Sequence, residues 1–120
     1  TTRISSETGA KARLEHRMAD ASANPYTAVA SVLQAAMLGV ENGYDLQAIE
    51  TGDGFEHTDA TVGTATDLAA AIADLEADTV LSTAVGADLV ANHAFMKTQE
   101  VEKTANLEGD ALRDFYIYFV

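Results

Sequence analysis

Residues 21 to 40 carry no charged side chain. A run of that length could span a bilayer as a helix. This one contains Ser22, Asn24, Pro25, Thr27, Ser31 and Gln34, and much of the remainder is alanine, which gains little in lipid. The run reads instead as a buried helix. Asn24 is a good N-cap, and Pro25 falls at the first helical position, where its missing N–H costs nothing. Val29, Val32, Leu33, Ala36, Met37 and Val40 follow at helical spacing, and Gly43 is a natural stop after Glu41 and Asn42.

Ahead of this helix stands Arg13-Leu14-Glu15-His16-Arg17-Met18, where charged and apolar residues alternate. Alternation is the period of a strand, expected here over residues 12 to 18. It places Arg13, Glu15 and Arg17 on one face and Leu14, His16 and Met18 on the other. A carboxylate between two guanidiniums can hold a hard cation while the guanidiniums grip carboxylate or phosphate oxygens. The same pattern is also that of a solvated face with weak ion pairs. His16 is expected to point the other way, into packing, as a core or interface histidine.

The strand leads through Asp20 into Ala23-Asn24-Pro25-Tyr26. This Arg-x-Glu-x-Arg strand and Asn-Pro-Tyr helix start resemble the signature near the C-terminal end of the glutamine synthetase catalytic domain. The close relatives, γ-glutamyl-polyamine and γ-glutamyl-methylamide ligases, share it. The resemblance implies that Arg13 contacts ATP phosphates, that Glu15 binds the divalent ion (Mg²⁺ or Mn²⁺) shared with the nucleotide, and that Arg17 holds the glutamate substrate. Arg3 matches an arginine facing the nucleotide phosphates, although Arg3-Ile4-Ser5 lacks the proline of the family's Arg-x-Pro segment. No residue of this set is a nucleophile or general base. The implied enzyme is an ATP-dependent glutamate–ammonia ligase working through a γ-glutamyl phosphate. The implied fold is α+β, a mostly helical fragment with an N-terminal strand, residues 1 to 120 forming the C-terminal portion of the catalytic domain.

Composition narrows the field. Nineteen acidic residues against seven Lys and Arg give a formal charge of -12. That balance argues against nucleic acid, whose binding leans on basic patches, and against an anionic membrane surface. The absence of cysteine rules out disulfides and thiolate metal sites, and fits a reducing cytoplasm. The chain opens on Thr1 with no charged-then-apolar leader, so no signal peptide is visible. A lone strand cannot satisfy its own backbone hydrogen bonds, which leads to the expectation that its partners are encoded upstream. Residues 1 to 11 read as loop.

Residues 44 to 64 read as an excursion. Glu50, Asp53, Glu56, Asp59 and His57 are cation-ligand types, but their order is not that of a calcium loop, and the segment is expected to be plain loop. Thr51-Gly52-Asp53-Gly54 is similar to a segment of the polyamine-ligase branch, which favours a larger amine over ammonia. A helix is expected over 65 to 78, capped by Thr66 or Asp67, with Leu68, Ile72 and Leu75 on one stripe. A turn is expected near Thr79 to Val85, then a helix over 87 to 105 burying Leu89, Val90, Met96 and Val101. His93 stands alone on it and is expected to be packed or on the surface, not a ligand.

Phe115, Tyr116, Tyr118 and Phe119 crowd the tail. They either pack on this chain's own helices or form an oligomer contact. The resemblance implies the latter, because family members assemble as double rings. Two readings stand beside the ligase: a non-catalytic binding relative with the same fold, and a small helical interaction module whose charged strand is merely surface.

Overall fold

The computed structural model describes residues 2–5, 7–46, 48–49 and 63–118. The acidic excursion from Glu50 to Asp59, with Thr51–Gly54 and His57, lies outside the described residues, as do Phe119 and Val120. The architecture is α+β. A two-stranded hairpin precedes five helices among the described residues.

The hairpin joins β1 (Thr2–Ile4) and β2 (Leu14–His16) antiparallel, with Thr2 opposite His16, Arg3 opposite Glu15 and Ile4 opposite Leu14. The Ser5 N–H donates to the Arg13 carbonyl at 3.1 Å and carries the pairing one step further. A single 3₁₀ turn, Gly9–Lys11, closes the connection, with Gly9 in the left-handed region at φ 65. This corrects the expectation that residues 1 to 11 are loop and that β2 finds its partner only upstream. Thr2 and Ile4 are β-branched and flank Arg3 in strand alternation, but three residues are too few to show a period. The expected strand also shortens to the part that β1 can pair.

His16 is not a core residue of the described chain, which corrects that half of its expectation. It is exposed, with Nδ1 3.4 Å from the Thr2 hydroxyl. Leu14 and Met18, on the same face, are exposed too. Glu15 is the half-buried member of the strand, because the side chains that cover it are the arginines of its own face.

Asp20 turns the chain from β2 into the first helix. Its Oδ1 accepts the Ser22 N–H at 2.8 Å and the Ser22 hydroxyl, and its carbonyl accepts the Ala23 N–H. These bonds, the hydroxyl first, hold the Asp20 carboxyl below the usual carboxylate range.

Helix α1 (Pro25–Asn42) begins and ends where local chemistry says it should. Asn24 Oδ1 accepts the N–H groups of Tyr26 at 3.0 Å and Thr27 at 3.3 Å. Gly43 sits at φ 61, ψ 43 and its N–H returns to the Gly39 carbonyl. Asn24→Ala should destabilise the fold by about 1 kcal/mol, because it orphans two amide donors; chemical denaturation of the complete protein checks this.

The orientation of α1 differs from expectation. Thr27, Ser31, Gln34 and Leu38 form its half-buried stripe. Val29, Leu33, Met37 and Val40 are exposed, Leu33 by 59% and Val40 by 85%. The helix thus turns its more polar side onto its neighbours and its apolar side outward. It is not the buried helix its composition promised.

The remaining helices follow their caps. Asp67 accepts the Ala70 N–H at 2.8 Å and opens α2 (Leu68–Ala77), whose half-buried side includes Leu68, Ile72 and Leu75 as the spacing predicts. Asp78 accepts the Leu81 N–H at 2.9 Å and opens α3 (Thr79–Val85), which is a helix where a turn was expected. Thr79, Val80, Thr83 and Val85 are poor helix formers, so their propensity hid it. The Asp78 cap and the Ser82 hydroxyl bond to the Leu75 carbonyl at 2.9 Å secure it.

Gly86, at φ 124, breaks the chain between α3 and α4 (Ala87–Thr104). Ala94 of α4 is 3% exposed and is the fully buried residue among those described. Val90 and Val101 share its stripe, whereas Leu89 and Met96 are exposed, against expectation. Helix α2 packs on α4 and α3, α1 on α3, and α3 on α4. His93 is half-buried beside a cleft of about 150 Å³ between these helices, consistent with a packed histidine. The last helix, α5 (Gly109–Tyr116), carries the aromatic tail.

Candidate functional site

The hairpin's charged face gathers every site residue read from the sequence. Arg13 and Arg17 flank Glu15 on one side of β2, and the antiparallel register brings Arg3 directly across from it. Arg17 Nη2 donates to Glu15 Oε2 at 3.0 Å, Arg13 Nε donates to Oε1 at 3.2 Å, and Arg3 Nη1 reaches Oε2 at 3.5 Å. The Glu15 side chain is 25% exposed, while each arginine is more than half exposed. The carboxylate is therefore the hub, and the guanidiniums are its rim.

Two residues of this cluster escaped the sequence reading. Arg13 Nη1 donates to Glu7 Oε2 and, at 3.3 Å, to the Ser5 hydroxyl, which also accepts the Glu7 N–H at 3.1 Å. An acidic residue placed inside the connection between two arginine-bearing strands was the available signal.

The hydrogen bond from Arg17 holds the Glu15 carboxyl below the usual carboxylate range; the charges of Arg3 and Arg17 and the bond from Arg13 add to this, and desolvation opposes it. A depressed carboxyl contributes its ion pairing in full above the ordinary value and loses it as pH falls through the lowered one. An NMR titration of the Glu15 side chain should show a midpoint below that of an isolated glutamate. The exposure of the cluster keeps the effect on global stability small.

A second cluster ties the tail to α4. The Tyr116 hydroxyl donates to Glu100 Oε1 at 2.8 Å, and Lys97 Nζ donates to Glu100 Oε2 at 2.7 Å. Burial, then the bond and charge of Glu100, push the Tyr116 phenol up. Burial pushes Glu100 up, but the bonds from Lys97 and Tyr116 and the nearby cations outweigh it, and its carboxyl sits low. Phe95, Phe115, Lys103 and these residues border an open cleft of about 540 Å³. Phe115 and Tyr116 are thus half-buried on this chain, while Ile117 and Tyr118 remain exposed. Tyr116→Phe should loosen α5 while leaving the hairpin cluster unchanged, which amide exchange along 109–116 would read.

A family model described as the glutamine synthetase catalytic domain matches residues 1–115. The chain belongs to the glutamine synthetase family. The match spans the hairpin and all the helices down to α5, and it includes Arg3, Arg13, Glu15 and Arg17. Among curated proteins and among solved structures, no match to the chain was found. Membership places the chain in a family of ligases.

Glutamine synthetases use a divalent metal, and the oxygen donor the hairpin cluster offers one is Glu15. No group of three His, Cys, Asp or Glu among the described residues could hold a metal ion. Glu15 offers one carboxylate, and its oxygens already meet three guanidiniums. A cation at Glu15 would need phosphate oxygens as its remaining donors, because the described residues alone close no cage around it.

No helix among the described residues is long and apolar enough to cross a membrane.

Proposed function

We propose that this chain is the C-terminal portion of the catalytic domain of an ATP-dependent glutamate–ammonia ligase. The observation that carries the reading is the convergence of Arg3, Arg13 and Arg17 on Glu15, on one face of a hairpin, in a chain of this family. Phosphoryl transfer asks little covalent chemistry of a protein. It needs oxygens clamped in place and their charge neutralised. Arg13 and Arg3 serve the nucleotide phosphates, and Arg17 serves the carboxylate of glutamate. Glu15 would hold a divalent cation, which when bound would offset charge on the transferring phosphoryl group. The γ-carboxylate of glutamate becomes an acyl phosphate, ammonia displaces phosphate from it, and glutamine leaves with ADP and phosphate.

The outward apolar face of α1 supports the view that residues 1–120 dock onto the remainder of a larger catalytic domain. Tyr26 and Val40 are each 85% exposed on it, a poor state for apolar side chains in water. The exposed Ile117 and Tyr118 support a subunit contact, as in a double ring. The acidic charge and the absence of cysteine support a cytoplasmic protein that binds no nucleic acid.

The alternative acceptor is an amine. The resemblance of Thr51-Gly52-Asp53-Gly54 to the polyamine-ligase branch favours a larger amine, as in a γ-glutamyl-polyamine ligase; a γ-glutamyl-methylamide ligase is the chemically adjacent reading. ADP release by the complete protein, measured with glutamate and ATP plus ammonia, methylamine or putrescine, separates the two. Turnover with ammonia alone supports the first reading. Preference for either amine supports the second. No ADP release with any acceptor would leave a non-catalytic relative or an interaction module.

A further inference from the structure

We propose that Glu7 competes with nucleotide phosphate for Arg13 and so sets how tightly the site takes ATP; this rests on the assignment of Arg13 to the phosphates. Arg13 has five N–H donors in a fixed plane. Nε is committed to Glu15 at 3.2 Å, and Nη1 to Glu7 and to the Ser5 hydroxyl at 3.3 Å. Among the described residues Nη2 donates no hydrogen bond. Glu7 thus occupies one arm of the fork with which an arginine takes a phosphate in bidentate fashion.

Charge points the same way. Arg3, Arg13 and Arg17 against Glu15 leave a patch of formal charge about +2, and Glu7 reduces it to about +1. Both members of the Arg13–Glu7 pair are half exposed, at 53% and 47%, so the pair opens at little cost when a stronger anion arrives. The 3₁₀ turn at Gly9–Lys11 and the Glu7 N–H bond to Ser5 keep Glu7 on the same side of the hairpin as Arg13.

Equilibrium binding of ATP to the complete protein tests this with Glu7→Gln and Glu7→Ala. Both should bind ATP about two- to fivefold more tightly, the scale of one exposed ion pair. The gain should shrink as salt rises and vanish in an Arg13→Gln background. Unchanged affinity in both variants overturns the proposal. So does weaker binding by Glu7→Ala with Glu7→Gln like the parent, since Glu7 would then merely orient Arg13. Arg13→Gln alone separates this from the site assignment. If it weakens ATP while the Glu7 variants do nothing, only the role of Glu7 falls; if it leaves ATP affinity intact, the assignment of Arg13 falls with it.

Discussion

Arg17→Leu in the complete protein should raise KM for glutamate about ten- to a hundredfold, the range for losing a hydrogen bond to a charged group, while KM for ATP changes little. The argument starts from geometry. Arg17 gives Nη2 to Glu15 Oε2 at 3.0 Å and is more than half exposed, so its guanidinium is accessible to an incoming carboxylate. Arg13 is differently placed. Its donors are divided among Glu15, Glu7 and Ser5 at the turn end of the hairpin, whereas Arg17 lies at the end nearest α1. On the proposed assignment, the two arginines would address different parts of a bound pair of substrates. Arg17→Lys keeps the charge but not the planar fork, and it should recover only part of the loss. Steady-state kinetics with each substrate varied in turn gives the answer. Equal effects on glutamate and ATP would remove the assignment.

How much of this was legible in the sequence depends on whether the cause was local. The N-cap at Asn24, proline at the next position and the αL stop at Gly43 are decided within a few residues, and the helix runs between them as its letters say. Asp67 and the stripe of Leu68, Ile72 and Leu75 are of the same kind. Helix α3 was missed because β-branched residues vote against helix, and the deciding bonds come from Asp78 and Leu75. The orientation of α1 was missed for a different reason. An apolar stripe says that something covers it, but not that the cover belongs to the same chain. Val29, Leu33, Met37 and Val40 stay exposed here, and the same is true of Leu14 and Met18 on the strand.

The site shows the same division. Alternation alone put Arg13, Glu15 and Arg17 on one face, and their distances agree. The arrival of Arg3 opposite Glu15 required a register between strands, which depends on the length of the connecting loop and on a strand too short to announce itself. Glu7 and Ser5 come with that loop. Their part in the cluster could be found only once the hairpin was closed.

Glu15→Ala tests the hub and should produce two opposite effects. On the proposed role, removing the carboxylate would take away an oxygen donor to the nucleotide-side cation. The metal concentration needed for half-maximal activity should then rise about ten- to a hundredfold, at least the loss that follows when a supporting partner of a metal ligand is removed. The same change leaves Arg3, Arg13 and Arg17 facing one another without their shared counter-charge, because Glu15 is the acceptor that joins all of them. A patch more positive by one charge should attract metal-free ATP more strongly. Binding of ATP in the presence of a chelator should therefore tighten in the variant, while binding and turnover with Mg²⁺ weaken. Glu15→Gln is the sharper probe, since it preserves shape and one acceptor oxygen while removing the charge. A residue that only held the arginines in place would weaken ATP alike with and without metal, and Gln would rescue it. Unchanged metal dependence of activity in both variants would refute the role of Glu15, and would leave the arginine cluster as an anion site without a cation of its own.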